Sequence, residues 1–111
     1  MNYEEVNELI KSKPALMLYF SGQFCGVCEV LHPKIERAFQ DEFPLIEQVS
    51  IVVEQNPKIA AQFNVFSMPT IIIYFEGKEF LRKARNLSVS GFVQEVKRPY
   101  GLYFDNGVET Q

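Results

Sequence analysis

Two cysteines three positions apart, in the run Cys25-Gly26-Val27-Cys28, are the side chains of this sequence best suited to chemistry. Thiols at that spacing exchange disulfides: a thiolate attacks a partner's S–S bond, and the second thiol breaks the mixed disulfide that forms. The pair follows an apolar run at residues 15–20 that reads as a strand and precedes a segment that reads as a helix. Ligands and chemistry in open α/β sheets collect at that carboxyl edge. Free backbone N–H groups and the dipole at a helix N-terminus favour a thiolate; lowering a thiol pKa from about 8.5 to about 7 raises the thiolate fraction at pH 7 from roughly 3% to about half. Cys25 is therefore the expected nucleophile, and Cys28, one turn on and buried by the helix, the expected resolving thiol.

Two blander readings stand beside this one. A structural disulfide closing so short a loop removes only about 2 kcal/mol of chain entropy, which is a weak reason to keep it. Zinc would find Cys25, Cys28 and His32, but no second Cys or His pair exists in the chain and a closed site needs four ligands. No metal is expected, and His32, the only histidine, reads as a solvated helix residue.

The elements that must position the pair follow from hydrophobic spacing. Val6, Leu9 and Ile10 mark a helix near residues 3–12, ended before Pro14; residues 15–20, apolar throughout, form a strand covered on both faces. From Gly26 to about Glu42, Val30, Leu31, Ile35, Ala38 and Phe39 follow helical spacing, with a kink expected at Pro33. A second covered strand is expected at Val49 to Val53. A short helix capped by Asn56 with Pro57 in its first turn should then run to about Phe63. Residues 70–75 make a third strand, and Glu76-Gly77 turns the chain into a hairpin with residues 78–84. Ser88 caps a last helix, with Leu87, Phe92, Val93 and Val96 buried, ending near Pro99. The order αβαβαββα predicts a three-layer α/β/α domain over residues 1–98 with a mixed sheet of about four strands. Residues 99–111 form a tail whose Tyr100, Leu102, Tyr103 and Phe104 are too apolar to lie free, so that it docks on its own domain or meets a second chain; Asp105-Asn106-Gly107 reads as a turn or an end.

Composition narrows the function classes. The 111 residues carry 11 basic and 14 acidic side chains, a net charge of −3, without the basic footprint of a nucleic-acid binder. Neither apolar run approaches the roughly twenty residues needed to span a bilayer, and residues 1–10 lack the features of a secretory signal. A cytoplasmic protein without nucleic-acid or membrane partners is expected.

Over roughly residues 3–98 the sequence resembles the thioredoxin family. The shared features are Cys25-Gly26-Val27-Cys28 opening a helix, Pro33 five residues past the second cysteine, Gln55-Asn56-Pro57 opening the next helix, and Met68-Pro69-Thr70 leading into the third strand. The resemblance implies that the Met68–Pro69 peptide is cis, that Pro69 lies against the Cys25–Cys28 disulfide, and that Phe24, Gly26, Val27, Met68, Pro69 and Thr70 border the groove where a substrate chain binds. Several positions depart from the family pattern. Phe24 replaces a tryptophan, keeping an apolar shield without the indole N–H, and Val27 replaces a proline between the cysteines. Tyr19 stands where a buried aspartate is usual and Ser50 where its lysine partner is usual. A tyrosine is a poor base at pH 7, so water or Glu29 would have to take the proton of Cys28. Arg85 stands where a glycine is common, either as a charge beside the groove or as an ordinary edge-strand arginine.

The resemblance implies a protein-disulfide reductase without a bound cofactor, a monomer whose own disulfide is re-reduced by a separate reductase drawing on NADPH. The alternative is a binding or redox-sensing module of the same fold with little turnover.

Overall fold

A computed structural model describes residues 1–85 and 87–105. Helix α1 (Tyr3–Ser12) opens with a capping box: Asn2 accepts from Glu5 N–H while the Glu5 carboxylate accepts from Asn2 N–H, both at 2.8 Å. Strand β1 (Ala15–Ser21), helix α2 (Gly26–Glu42) and strand β2 (Glu47–Val52) follow, then a 3-10 turn at Val53–Gln55 and the short helix α3 (Pro57–Gln62). Strands β3 (Thr70–Phe75) and β4 (Lys78–Ala84) form the hairpin, and α4 (Val89–Tyr100) runs into a π-helical turn, Gly101–Asp105.

The four strands lie in the order β2-β1-β3-β4. Strand β1 is parallel to β2 and antiparallel to β3, and β4 is antiparallel to β3, so the sheet is mixed with the hairpin at one edge. Central strands with no solvated face explain the unbroken apolar runs, and the side-chain period of two sorts them into two cores. Met17, Tyr19, Ile71 and Ile73 pack with Leu31, Ile35 and Phe39 of α2 and Phe92 and Val96 of α4. Leu16, Leu18, Phe20, Ile72 and Tyr74 pack on the opposite face with Val6 and Ile10 of α1 and Ile59 of α3. The expected three layers are present. Glu76 and Gly77 both take positive φ, 52° and 80°, the backbone that a two-residue hairpin turn requires.

Four expectations need correction. Strand β2 is an edge strand only partly covered, with Ile51 buried and Ser50 exposed, because it stands at the end of the strand order. Val30 is 61% exposed, since the buried stripe of α2 is Cys28, Leu31, Ile35 and Phe39, and Val30 lies off that line. Asn56 is the N-cap of α3 with Pro57 in the first turn, as expected, but its side chain makes no cap bond. The last helix passes through Pro99, and the tail continues as the π-helical turn whose Tyr103 and Phe104 rings pack 5.4 and 6.5 Å from that of Phe75. The turn expected at Asp105-Asn106-Gly107 extends beyond the described residues, as does Asn86. Among the described residues no helix is long and apolar enough to cross a membrane.

Candidate active site

Strand β1 ends at Ser21, and a four-residue loop delivers Cys25 to the N-cap of α2. The Cys25 sulfur accepts the backbone N–H of Cys28 at 3.1 Å, the bond that an N-cap side chain makes to an otherwise unpaired donor. The same N–H would favour a thiolate there. Cys25 and Cys28 are joined as a disulfide with their Cα atoms 5.2 Å apart. The two sulfurs differ in access: Cys25 is half-buried, whereas Cys28 is 2% exposed against the wall of the core.

The Met68–Pro69 peptide is cis. Pro69 and Thr70 are buried and Met68 is half-buried, with Thr70 Oγ1 donating to the Ser67 carbonyl at 2.7 Å and so fixing the entry into β3. Gly22 links this loop to the cysteines: a Cβ there would meet Cys25 Cβ and Met68 Cγ at 3.5 Å, and a Glu54 carboxylate oxygen at 3.6 Å. Glu54 Oε1 accepts from Gln23 N–H at 2.8 Å, which ties the loop before Cys25 to the turn after β2. Glu54 is not among the residues expected at the site, although its place just past the carboxyl end of a strand is a usable signal.

On the α2 side of Cys25 the surface is largely apolar. Phe24 is 92% exposed, and Gly26, Val27, Val30, Leu31, Leu87 and Val89 border, with Lys34, an open groove with a volume of about 710 Å³; Phe66, two residues before Met68, is 83% exposed. Phe24 therefore does not shield the disulfide from within the chain; without an indole N–H it has no polar anchor and stands in solvent. Arg85 is not an edge-strand residue. It follows β4 with φ of 62°, and its N–H donates to the Pro69 carbonyl at 2.8 Å, so the backbone of Arg85, with its side chain exposed, braces the cis-proline loop.

Beneath the disulfide, Tyr19 is fully buried and its Oη donates to the Cys28 carbonyl at 3.2 Å. Burial pushes its pKa up to about 12, so the phenol stays neutral at any pH at which thiols exchange. Glu29 is exposed and lines a cleft with Cys28 and His32. His32 departs from the solvated role expected of it. It is half-buried, stacks on Tyr19 with ring centroids 4.4 Å apart and 17° between planes, and has Nε2 2.9 Å from Ser50 Oγ. Its spacing of four from Cys28 was the signal that the two share a helix face.

Comparison with known proteins agrees with this geometry. The thioredoxin family profile matches residues 1–98. The chain is 33% identical over 98 residues to the thioredoxin-like protein YdfQ of Bacillus subtilis, covering 88% of this chain and 87% of that one. It is 37% identical over 76 residues to thioredoxin H2 of Arabidopsis thaliana, covering 68% of this chain and 56% of the relative. Among solved structures, oxidised mitochondrial thioredoxin 3 of Saccharomyces cerevisiae superposes with a TM-score of 0.77 at 25% identity, covering 86% of this chain and 89% of that one. Fasciola hepatica thioredoxin does so with a TM-score of 0.71 at 27% identity, covering 87% and 89%.

Proposed function

The chain belongs to the thioredoxin family, and from that premise we propose that Cys25 is the nucleophile and Cys28 the resolving thiol of a protein-disulfide reductase. The chain is a thiol–disulfide oxidoreductase of the C-x-x-C type, acting on protein disulfides. The observation that supports the division of labour is the asymmetry of the pair, an accessible sulfur at a helix N-cap bonded to one that is 2% exposed.

In the forward direction the Cys25 thiolate attacks one sulfur of the substrate disulfide, and the other sulfur leaves and is protonated. Cys28 then loses its proton and attacks Cys25. The Cys25–Cys28 bond forms, the bond to the substrate breaks, and two electrons have passed to the substrate as two thiols. The oxidised pair described above is the product of that cycle. A thioredoxin reductase-type donor would restore the dithiol, and the reaction would run on a cytoplasmic monomer. The Met68–Pro69 loop and the apolar flank of Phe24, Val27 and Phe66 supply the surface for an extended substrate chain. Those same exposed rings favour, as the second reading, a redox-sensing module that holds one partner.

Insulin reduction with dithiothreitol separates the two readings. The wild-type chain is expected to accelerate precipitation catalytically, and Cys28→Ser to fall to the background rate while still forming a mixed disulfide through Cys25. Equal activity in Cys28→Ser would sink the assignment of Cys28.

A further inference from the structure

Cys28 presents a chemical problem that neither cysteine solves. A buried thiol attacks poorly until something takes its proton. Tyr19, the polar group beneath it, is itself a neutral donor, already committed to the Cys28 carbonyl at 3.2 Å. The parallel register sets Ser50 beside Tyr19, on the same side of the sheet as α2. His32 closes this set from the helix: its ring lies flat on Tyr19, its Nε2 is 2.9 Å from Ser50 Oγ, and it shares with Cys28 a cleft of about 290 Å³ lined also by Ser21, Gly22, Glu29 and Pro33. That volume holds several waters, at about 30 Å³ each in the liquid.

We propose that His32 accepts the proton of Cys28 through a water in this cleft, with Tyr19 and Ser50 holding its ring in place. The inference rests on Cys28 being the resolving thiol. When Nε2–H donates to Ser50, Nδ1 is the free lone pair, and a hydrogen bond on one ring nitrogen fixes the tautomer of the other. The proton moves from Cys28 Sγ to water as water passes one to Nδ1. Sγ then attacks Cys25, the substrate sulfur leaves, and the imidazolium returns its proton to that leaving thiolate or to solvent. The titratable and charged groups around the imidazole are Tyr19 on β1, Cys28 and Glu29 on α2, and Glu54 past β2, whose carboxylate lies by Gly22 at the cleft. Ser50 on β2 completes its surroundings. Two bases line the cleft with Cys28, His32 and Glu29, and the imidazole can take a proton on one nitrogen while the other holds a hydrogen bond. His32 is also fixed by two contacts, whereas Glu29 lies on the exposed side of the helix.

Ellman's reagent, followed by stopped flow on the reduced protein, resolves the two steps. The first release of thionitrobenzoate reports attack by Cys25, and the second reports attack by Cys28 on the mixed disulfide. A missing first phase would overturn the reductase reading itself, independently of His32. With the first phase intact, the second phase of the wild type is expected to show a pH inflection from a general base that the first phase lacks. His32→Gln should slow it up to about a hundredfold at pH 7 and leave a rate that climbs steadily with thiolate, with the first phase unchanged. His32→Ala should recover part of the loss when imidazole is added, which a purely structural role would not produce. Ser50→Ala, at an exposed edge position, should slow the second phase a few-fold and serves where a His32 variant fails to fold. A second phase with unaltered rate and pH profile in His32→Gln overturns the proposal, assigning the proton to Glu29 if Glu29→Gln removes the inflection and to solvent if it does not.

Discussion

Arg85 shows how one backbone angle carries information that side-chain type conceals. As a charge near the groove it invites an electrostatic role, yet what the structure records is its φ of 62° and an N–H held by the Pro69 carbonyl. Positive φ costs a side-chain-bearing residue about 1 kcal/mol that glycine does not incur. Arg85→Gly is therefore expected to stabilise the fold by up to about 1 kcal/mol in denaturant unfolding, while Arg85→Ala, which keeps the strain and removes the charge, changes stability little. A loss of stability in Arg85→Gly would show that the guanidinium, not the backbone, matters. The cysteines were legible from spacing alone, because their chemistry depends on a short local sequence. His32 was not: its partners Tyr19 and Ser50 come from two strands, 13 positions before it and 18 after it, and only the sheet register brings them together.

At the scale of elements, kind and order were legible because each segment states its own period. The two central strands are apolar but for Ser21 at the end of one and Thr70 at the start of the other, and the helices carry a stripe. What escaped was the environment at the ends. Val30 fits helical spacing but lies off the buried line, and β2 looks covered until its neighbour count is known from topology. Pro99 reads as a stop, yet the helix continues because Tyr100 is drawn into the core against Phe43 and its Oη accepts from Leu45 N–H at 3.2 Å. Caps divide in the same way. Ser88 accepts from Gly91 N–H at 2.9 Å, whereas Asn56, equally suited by type, makes no such bond. Ser88→Ala should cost about 1 kcal/mol by thermal or denaturant unfolding, and Asn56→Ala much less, since only the first leaves a helix donor without its partner. Equal costs would mean that residue type, not the bond, sets the effect.

For the whole molecule, each of the two cores on either face of the sheet holds one buried tyrosine of raised pKa, and these two give the fold a predictable alkaline limit. Burial raises Tyr19 on the α2 side to about 12; on the opposite side Tyr74 is raised to about 12 by burial first and by the Glu79 carboxylate second. An unfolded tyrosine ionises near 10, so between pH 10 and 12 the unfolded chain has shed protons that the native chain retains, and stability falls as pH rises. The contribution is complete below pH 10 and gone above 12, and solvent screening keeps it to about 1–2 kcal/mol for each ring. Glu79 acts in the opposite sense at the acid end: hydrogen bonding to Arg82 holds its carboxyl below the usual value, so what it contributes is present above about pH 4.5 and is lost as pH falls through its native pKa. It is largely exposed, so screening by solvent keeps this acid effect small. Unfolding of the oxidised protein in urea at pH 9, 10 and 11 should show the alkaline decline, with tyrosinate absorbance lagging that of free tyrosine. Tyr19→Phe should remove about half of the decline while leaving stability at pH 7 lower by only about 1 kcal/mol, the worth of one buried hydrogen bond whose carbonyl partner retains its place in the helix. An undiminished decline in Tyr19→Phe would place the alkaline sensitivity elsewhere in the sheet.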